Sequence, residues 1–374
     1  MKKIFLCMVL ITALCLTGCG SEKDKDIRNN FIKDSSNLKS YYMEGILKIT
    51  NNDDTYEYNV KTSYKKDDLY KVSMTNKAND YEQIILKNKD GVYVITPSLN
   101  KSFKFQSDWP NNNSQSYLID SVAKDLKNDE DYTFTKKGND YIFTIKTNYP
   151  NNPKYTKQNV ILDKNKKLKK VEVQDDDEVT YVEYIVKNFD PKKDFNNDEF
   201  SLEEITKDFS KNIKEETRTN TDNSSNKNTE NSDNTVRSEE STDETTNNNS
   251  DTTKTEETSK EIDSVFPLYL PSNTTLSDKE VIDTKAGQRV IMTFSGDNPF
   301  ILVEETAAPS SNLEVIPTYG EPFMLVDTVG SLTDTSYTWT SNGKEYYIVS
   351  DQMEKNELLE VAKSINVMSV ISKK

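Results

Sequence analysis

Asp175, Asp176, Asp177 and Glu178 stand side by side in "VQDDDEVT", and four adjacent carboxylates invite a calcium reading. Their spacing argues against it. Neighbours on a strand point to opposite faces, and a calcium loop needs acids at alternate positions around a central Gly. A solvated hairpin turn accounts for them better. The run "DKNKKLKKVE" could dock an anionic lipid headgroup, yet Asp163 to Lys167 separate two apolar runs and read as a turn. Gly296, Asp297, Asn298 and Pro299 in "SGDNPF" have the composition of a turn, not of a phosphate loop. No pair of carboxylates stands at a spacing that certifies an acid/base site. No catalytic, cofactor-binding or metal-ligating residue is assigned.

Composition removes most remaining chemistry. The 374 residues include no His and three Cys. A Ser-His-Asp or Cys-His nucleophile system is therefore impossible, as is any zinc site that uses His. Cys7 and Cys15 lie in the apolar run "IFLCMVLITALCL", which follows Lys2 and Lys3 and breaks at "LTGC" into charge. That is the shape of a secretory signal peptide, too short for the roughly 20 residues of a membrane-spanning helix. Leu16-Thr17-Gly18-Cys19 is similar to the bacterial lipobox, which implies cleavage before Cys19 and acylation of its sulfur. Residues 1–18 are then a lipoprotein signal peptide, and residues 19–34 a lipidated tether running into a first helix. At about 0.8 kcal/mol per buried methylene, two or three acyl chains would hold the protein on the extracytoplasmic face of the cell membrane. Cys19 would be the sole remaining cysteine, so no disulfide is expected. The net charge of −15 sets nucleic acid aside as a partner.

The elements fall into two groups. Residues 209–261, typified by "NTDNSSNKNTENSDNTVRSEESTDETTNNNS", are built from Asn, Thr, Ser, Asp, Glu and Lys and cannot form a core. They are expected to be a disordered polar linker separating two modules that melt independently. Residues 35–208 read as antiparallel β. "TYEYNVKTSY" places Tyr56, Tyr58, Val60, Thr62 and Tyr64 on one face by strict alternation. Further short runs follow, from "DLYKVSMT" to "EVTYVEYIVKNF", separated by turn residues. A helix with Ile27, Phe31 and Leu38 on one side precedes them. A second, with a stripe of Tyr117, Leu118, Val122 and Leu126, interrupts them.

One helix, about six strands, another helix and five or six strands resemble the plan of the LolA-like lipoprotein-carrier superfamily. The stretches "YEQIILKNKDGVYVITPSLNKSFKFQSDWP", "QNVILDKNKKLKKVEVQDDDEVTYVEYIVKNFD" and "NNDEFSL" carry the resemblance, with Phe189, Asp190 and Phe200 in its closing motif. It implies an α+β fold: a curved antiparallel half-barrel with its helices in the concave face. The Lys- and Asn-heavy composition and lipid-anchored format look most like the germination lipoproteins of clostridia (GerS-type). That branch implies no enzyme activity of the chain's own, and a protein partner, a cell-wall amidase acting on the spore cortex. Residues 262–374 depart from the shorter members. Their six strand-like runs and closing helix around Leu358, Leu359, Ala362 and Ile365 make a second small α+β domain. It resembles an uncharacterised domain at the extracellular ends of Firmicute membrane proteins and lipoproteins, to which no activity is attached.

Twenty Tyr and fourteen Phe exceed what a thin half-barrel core requires. High β-propensity accounts for part of the surplus. The alternative is an apolar cleft between sheet and helices that accepts an acyl chain or a partner's side chains. Trp109, in the "SDWP" loop before the second helix, is the candidate rim residue, with core as its competing role. Two functions share this fold: binding a protein partner, and binding or transferring a lipid, an acyl ligand or a lipoprotein.

Overall fold

The computed structural model describes residues 24–52, 54–209 and 264–371. Cys19, the expected signal peptide 1–18 and residues 210–261 of the expected linker lie outside the described residues. Helix α1 (Asp24–Ser36) leads into β1 (Ser40–Asn51), β2 (Asp54–Lys65), β3 (Leu69–Asn76), β4 (Glu82–Asn88), β5 (Gly91–Thr96) and β6 (Lys101–Phe105). Helix α2 (Ile119–Asn128) precedes β7 (Thr133–Lys137), β8 (Asp140–Lys146), β9 (Lys157–Leu162), β10 (Leu168–Gln174) and β11 (Thr180–Asp190). A short helix α3 (Leu202–Thr206) closes this domain, an α+β fold followed by a second, smaller β-rich domain.

Alternation sets which face each strand buries. In β1, which is absent from the runs read above, Tyr41, Met43, Gly45, Leu47 and Ile49 are buried while the residues alternating with them are half-exposed. In β2 the expected face is the inner one, with Tyr58, Val60 and Thr62 buried. Six strands run out in sequence from β1 to β6, and the chain re-enters at β7 and returns to β11, which pairs with β1. Neighbours among these eleven strands pair antiparallel, most of them across short turns, with a longer connection of residues 147–156 between β8 and β9. At the β1/β11 join the register shifts at Glu44/Gly45, and a Cβ on Gly45 would lie 2.4 Å from Tyr184 Cζ. Glycine stands there because a buried tyrosine ring fills the space.

Both helices pack on one face of this sheet, where Ile27 and Phe31 of α1 join Val122 and Leu126 of α2 in the main core. Tyr117 precedes α2 and Leu118 caps it, so only part of the expected stripe is helical, although all four residues are buried. Arg28 fastens the helices together. Its Nε and Nη2 donate to Leu126 O at 3.0 and 2.7 Å, and Nη2 also donates to Lys127 O and Asp129 O, each at 3.1 Å. These are the carbonyls that the end of α2 leaves without intrahelical partners. On the opposite face Phe195 and Phe200 cover Ile84, Leu86, Tyr93 and Ile95.

The second domain has β12 (Thr274–Thr284), β13 (Gly287–Gly296), β14 (Phe300–Thr306), β15 (Glu314–Thr318), β16 (Glu321–Met324), β17 (Val329–Leu332), β18 (Ser336–Ser341), β19 (Lys344–Val349) and helix α4 (Lys355–Ile371). Leu358, Leu359, Ala362 and Ile365 are all buried, against Val290, Met292, Leu302 and Ile348 among others. Six strands were expected here. The run "PFMLVDTVGSL" instead folds into two strands around a tight turn in which Leu325 N donates to Thr328 O at 2.8 Å.

Strand β15 leaves its own domain altogether. It pairs in parallel with β6, making the first sheet twelve-stranded, while the other seven strands form their own sheet in the order β12-β13-β14-β19-β18-β17-β16. The two modules therefore do not stand apart. The composition of a connecting segment reports whether that segment can fold, and nothing about surfaces that meet beyond it.

Candidate binding cleft

The helix-bearing face of the first sheet continues past the helices into an apolar cleft. Leu47 and Ile49 of β1, Ile85 of β4 and Val182 of β11 line it, because each is an inward position of an alternating strand. Trp109 and the segment 113–117 form one wall, and Tyr149, Tyr155 and Tyr181 another. The tyrosines are in ring contact, with centroids 5.5 Å apart for both Tyr149–Tyr155 and Tyr155–Tyr181.

The fourth side comes from the second domain. The turn between β16 and β17 brings Phe323, Met324, Leu325 and Val326 over the cleft. Main-chain recognition holds it there. Gln83 Oε1 accepts from Val329 N at 2.6 Å and Gln83 Nε2 donates to Val329 O at 3.0 Å. Tyr58 OH donates to Val326 O at 3.0 Å. Gln83, Tyr58, Val326 and Val329 are all buried. Farther out, Ser310 N donates to Leu99 O at 2.9 Å, and Lys363 Nζ donates to Asn152 Oδ1 at 3.2 Å. Beneath this roof a cavity of about 140 Å³ remains open, and a second of about 350 Å³ lies farther along the seam, where Phe103 and Phe105 of β6 face Ile316 of β15 and Trp339 of β18.

Trp109 is 1% exposed, packs edge-on against Tyr70 with ring centroids 5.7 Å apart, and belongs to the cleft wall. Beside it a buried carboxylate ties α2 to the sheet. Asp120 Oδ1 accepts from Tyr41 OH at 3.0 Å and Oδ2 from Tyr70 OH at 2.7 Å. Burial raises the Asp120 carboxyl above the usual carboxylate range, while the two hydroxyl donors pull the other way. The same burial, together with the Asp120 charge, pushes Tyr41 and Tyr70 well up, so both phenols stay protonated donors.

The other constellations are turns. Asp175 Oδ1 accepts from Asp177 N at 3.0 Å and Val179 N at 2.9 Å, and Asp163 Oδ1 accepts from Asn165 N and Lys167 N at 2.8 and 2.9 Å. Gly296 has φ +140°, and a Cβ there would meet Asn273 O at 1.8 Å, so its glycine serves a close backbone approach. Among the described residues no group of three or more His, Cys, Asp and Glu is placed to hold a metal ion. Nor is any described helix long and apolar enough to cross a membrane.

Away from the Phe195–Phe200 cluster, the outer face of the first sheet across β1, β2, β10 and β11 is polar and pairs its charges. Lys48 lies 3.6 Å from both Glu57 and Glu183, and Lys170 lies 3.5 Å from Glu183, so signs alternate across neighbouring strands. Exposed pairs of this kind contribute little stability, but they leave no single-signed field for a charged ligand.

Sequence reasoning did not find Gln83, Tyr58's hydrogen-bonding role or the turn that closes the cleft. One signal was present for Gln83: an amide at an inward position of an otherwise apolar strand must find buried partners.

A family model described as "Sporulation protein YdcC-like" matches residues 1–200. Sporulation protein YdcC of Bacillus subtilis (strain 168) is 33% identical over 375 residues, covering 98% of each chain. Among solved structures, the MucA/MucB complex of Pseudomonas aeruginosa aligns with a TM-score of 0.31 and 9% identity, over 91% of this chain and 97% of that one. A LolA superfamily protein from Nitrosomonas europaea aligns with a TM-score of 0.29 and 12% identity, over 49% and 99%. The structure of the CwlD amidase of Clostridioides difficile with the GerS lipoprotein aligns at 0.17 and 17% identity, over 48% and 99%. Structural likenesses at these scores carry no weight for function. The sequence matches do, and the chain belongs to the family of YdcC-like sporulation proteins.

Proposed function

We propose that this protein is a non-enzymatic, extracytoplasmic lipoprotein of a spore-forming cell that acts by binding another protein of the envelope. The observation that carries this reading is the closed cleft. A cavity of about 350 Å³ lies elsewhere along the seam, between β6, β15 and β18, but in the cleft on the helix-bearing face only about 140 Å³ remains, below the roughly 300–1,000 Å³ of small-ligand pockets. A lipid carrier needs that space open. A chain without histidine keeps carboxylate, Lys or Tyr acid/base chemistry and binding within reach, and membership of the YdcC-like family favours binding. Membership of a sporulation family gives the setting.

Acylation of Cys19 would present the folded domains to membrane neighbours at high effective concentration. The resemblance to germination lipoproteins suggests a cell-wall amidase of the spore cortex as the partner. Affinity capture of the tethered protein from sporulating cells tests the reading, with Cys19→Ala as the untethered control. A cell-wall hydrolase recovered with the wild type and depleted with Cys19→Ala is the expected result. A preparation that brings down no protein and carries lipid would favour the alternative, a carrier of acyl ligands or lipoproteins.

A further inference from the structure

The geometry points to the seam cavity as a receiving pocket for one large apolar side chain of a partner polypeptide, with the carboxamide of Asn51 taking a main-chain carbonyl of the same segment. This rests on the protein-binding reading above and names the chemistry of its partner. Size comes first. A cavity of about 140 Å³ is close to the roughly 150 Å³ of a void that accepts benzene, and falls short of what an acyl chain or a drug-sized ligand needs. One Phe, Tyr or Leu side chain matches it.

The walls suit such a side chain. Trp109, Tyr117, Tyr149, Tyr155 and Tyr181 surround it with ring faces and edges, and Phe323 adds a ring from the second domain. Aromatic walls around a single anchor are the usual setting of an interface hot spot. Because both domains contribute, the pocket exists only while the turn between β16 and β17 is seated.

Asn51 separates this pocket from a plain packing void. It lines the cavity at the end of β1, and its Nδ2 is buried without an acceptor among the described residues. Buried amide donors are almost always paired. The group that would pair with it is a carbonyl, which every residue of an incoming peptide carries next to its side chain. At the rim, Lys363 is held by Glu360 at 2.8 Å, and Lys154 adds a cation beside them, so the charged groups stand around the aromatic walls at the mouth.

Three probes test this on the full chain: toluene, N-acetyl-phenylalaninamide and N-acetyl-alaninamide, with binding read by ligand-observed NMR. Toluene and the phenylalanine amide should bind, and the alanine amide should not. Asn51→Ala should weaken the phenylalanine amide about tenfold, the loss of one hydrogen bond, and leave toluene unchanged. Val182→Phe, which fills the cavity, should abolish both, and Ile49→Phe serves the same purpose if that variant does not fold. Failure of the wild type to bind either aromatic probe would overturn the pocket. Equal effects of Asn51→Ala on both aromatic probes would overturn the carbonyl contact. Capture of a protein partner despite either result would leave the protein-binding reading standing, and lipid in the purified chain would remove that reading instead.

Discussion

Gln83 reads Val329 as a neighbouring strand would, its carboxamide accepting from the valine N–H at 2.6 Å and donating to the valine carbonyl at 3.0 Å. The two residues belong to different domains and both are buried. Removing the carboxamide leaves a buried N–H and a buried C=O unmet, at a cost of about 1–3 kcal/mol for such a group. Gln83→Ala should lower the urea midpoint of the full chain and split its transition, the second domain melting first. An unchanged single transition would show that the apolar contacts alone hold the domains together.

Arg28, half-buried on α1, should matter more than a lone helix cation usually does. Its guanidinium satisfies carbonyls at the end of α2, and its planar fork has no equivalent in lysine. Arg28→Ala should destabilise by about 1.5–3 kcal/mol, in the range of hydrogen bonds from a charged donor. Arg28→Lys should recover less than half of that, measured by denaturant unfolding with matched slopes.

Gly45 has no freedom to gain a side chain. Overpacking a filled core costs about 1–3 kcal/mol, and the ring of Tyr184 is itself fully buried. Gly45→Ala should show a loss of this size, and the double variant Gly45→Ala, Tyr184→Phe should recover part of it, since Tyr184 Oη is among the atoms in the way.

Asp120 should give stability a particular pH dependence. Its carboxyl is raised in the folded state by burial. The folded chain then holds this proton more tightly than the unfolded chain, whose value is about 3.9. The resulting stabilisation is fully present below that value and is lost as pH rises through the folded-state value. Asp120→Asn removes the titration, so its stability should fall less steeply than the wild type's over that window. Parallel pH profiles would contradict the burial argument.

The sequence shows alternation and turns plainly, so the meander of β2 to β6, the return of β7 to β11 and the buried face of α4 are legible. Leu358, Leu359, Ala362 and Ile365 sit where a helical period puts them. Pairing partners of high sequence separation are not legible. Nothing local in "EVIPT" says that it joins β6 more than two hundred residues earlier. The same holds for the site. Trp109 stands out by its size, whereas the roof over it comes from "FMLV", which reads as one more core strand until the turn at Leu325 and Thr328 is seen.

Native mass spectrometry of the chain lacking its first 19 residues, released gently from the cells that made it, tests the closed cleft most directly. A bare polypeptide mass, with no adduct lost on collisional activation, is the predicted result. A stoichiometric lipid adduct would contradict it, because the space left beneath Phe323 to Val326, about 140 Å³, is too small for an acyl chain.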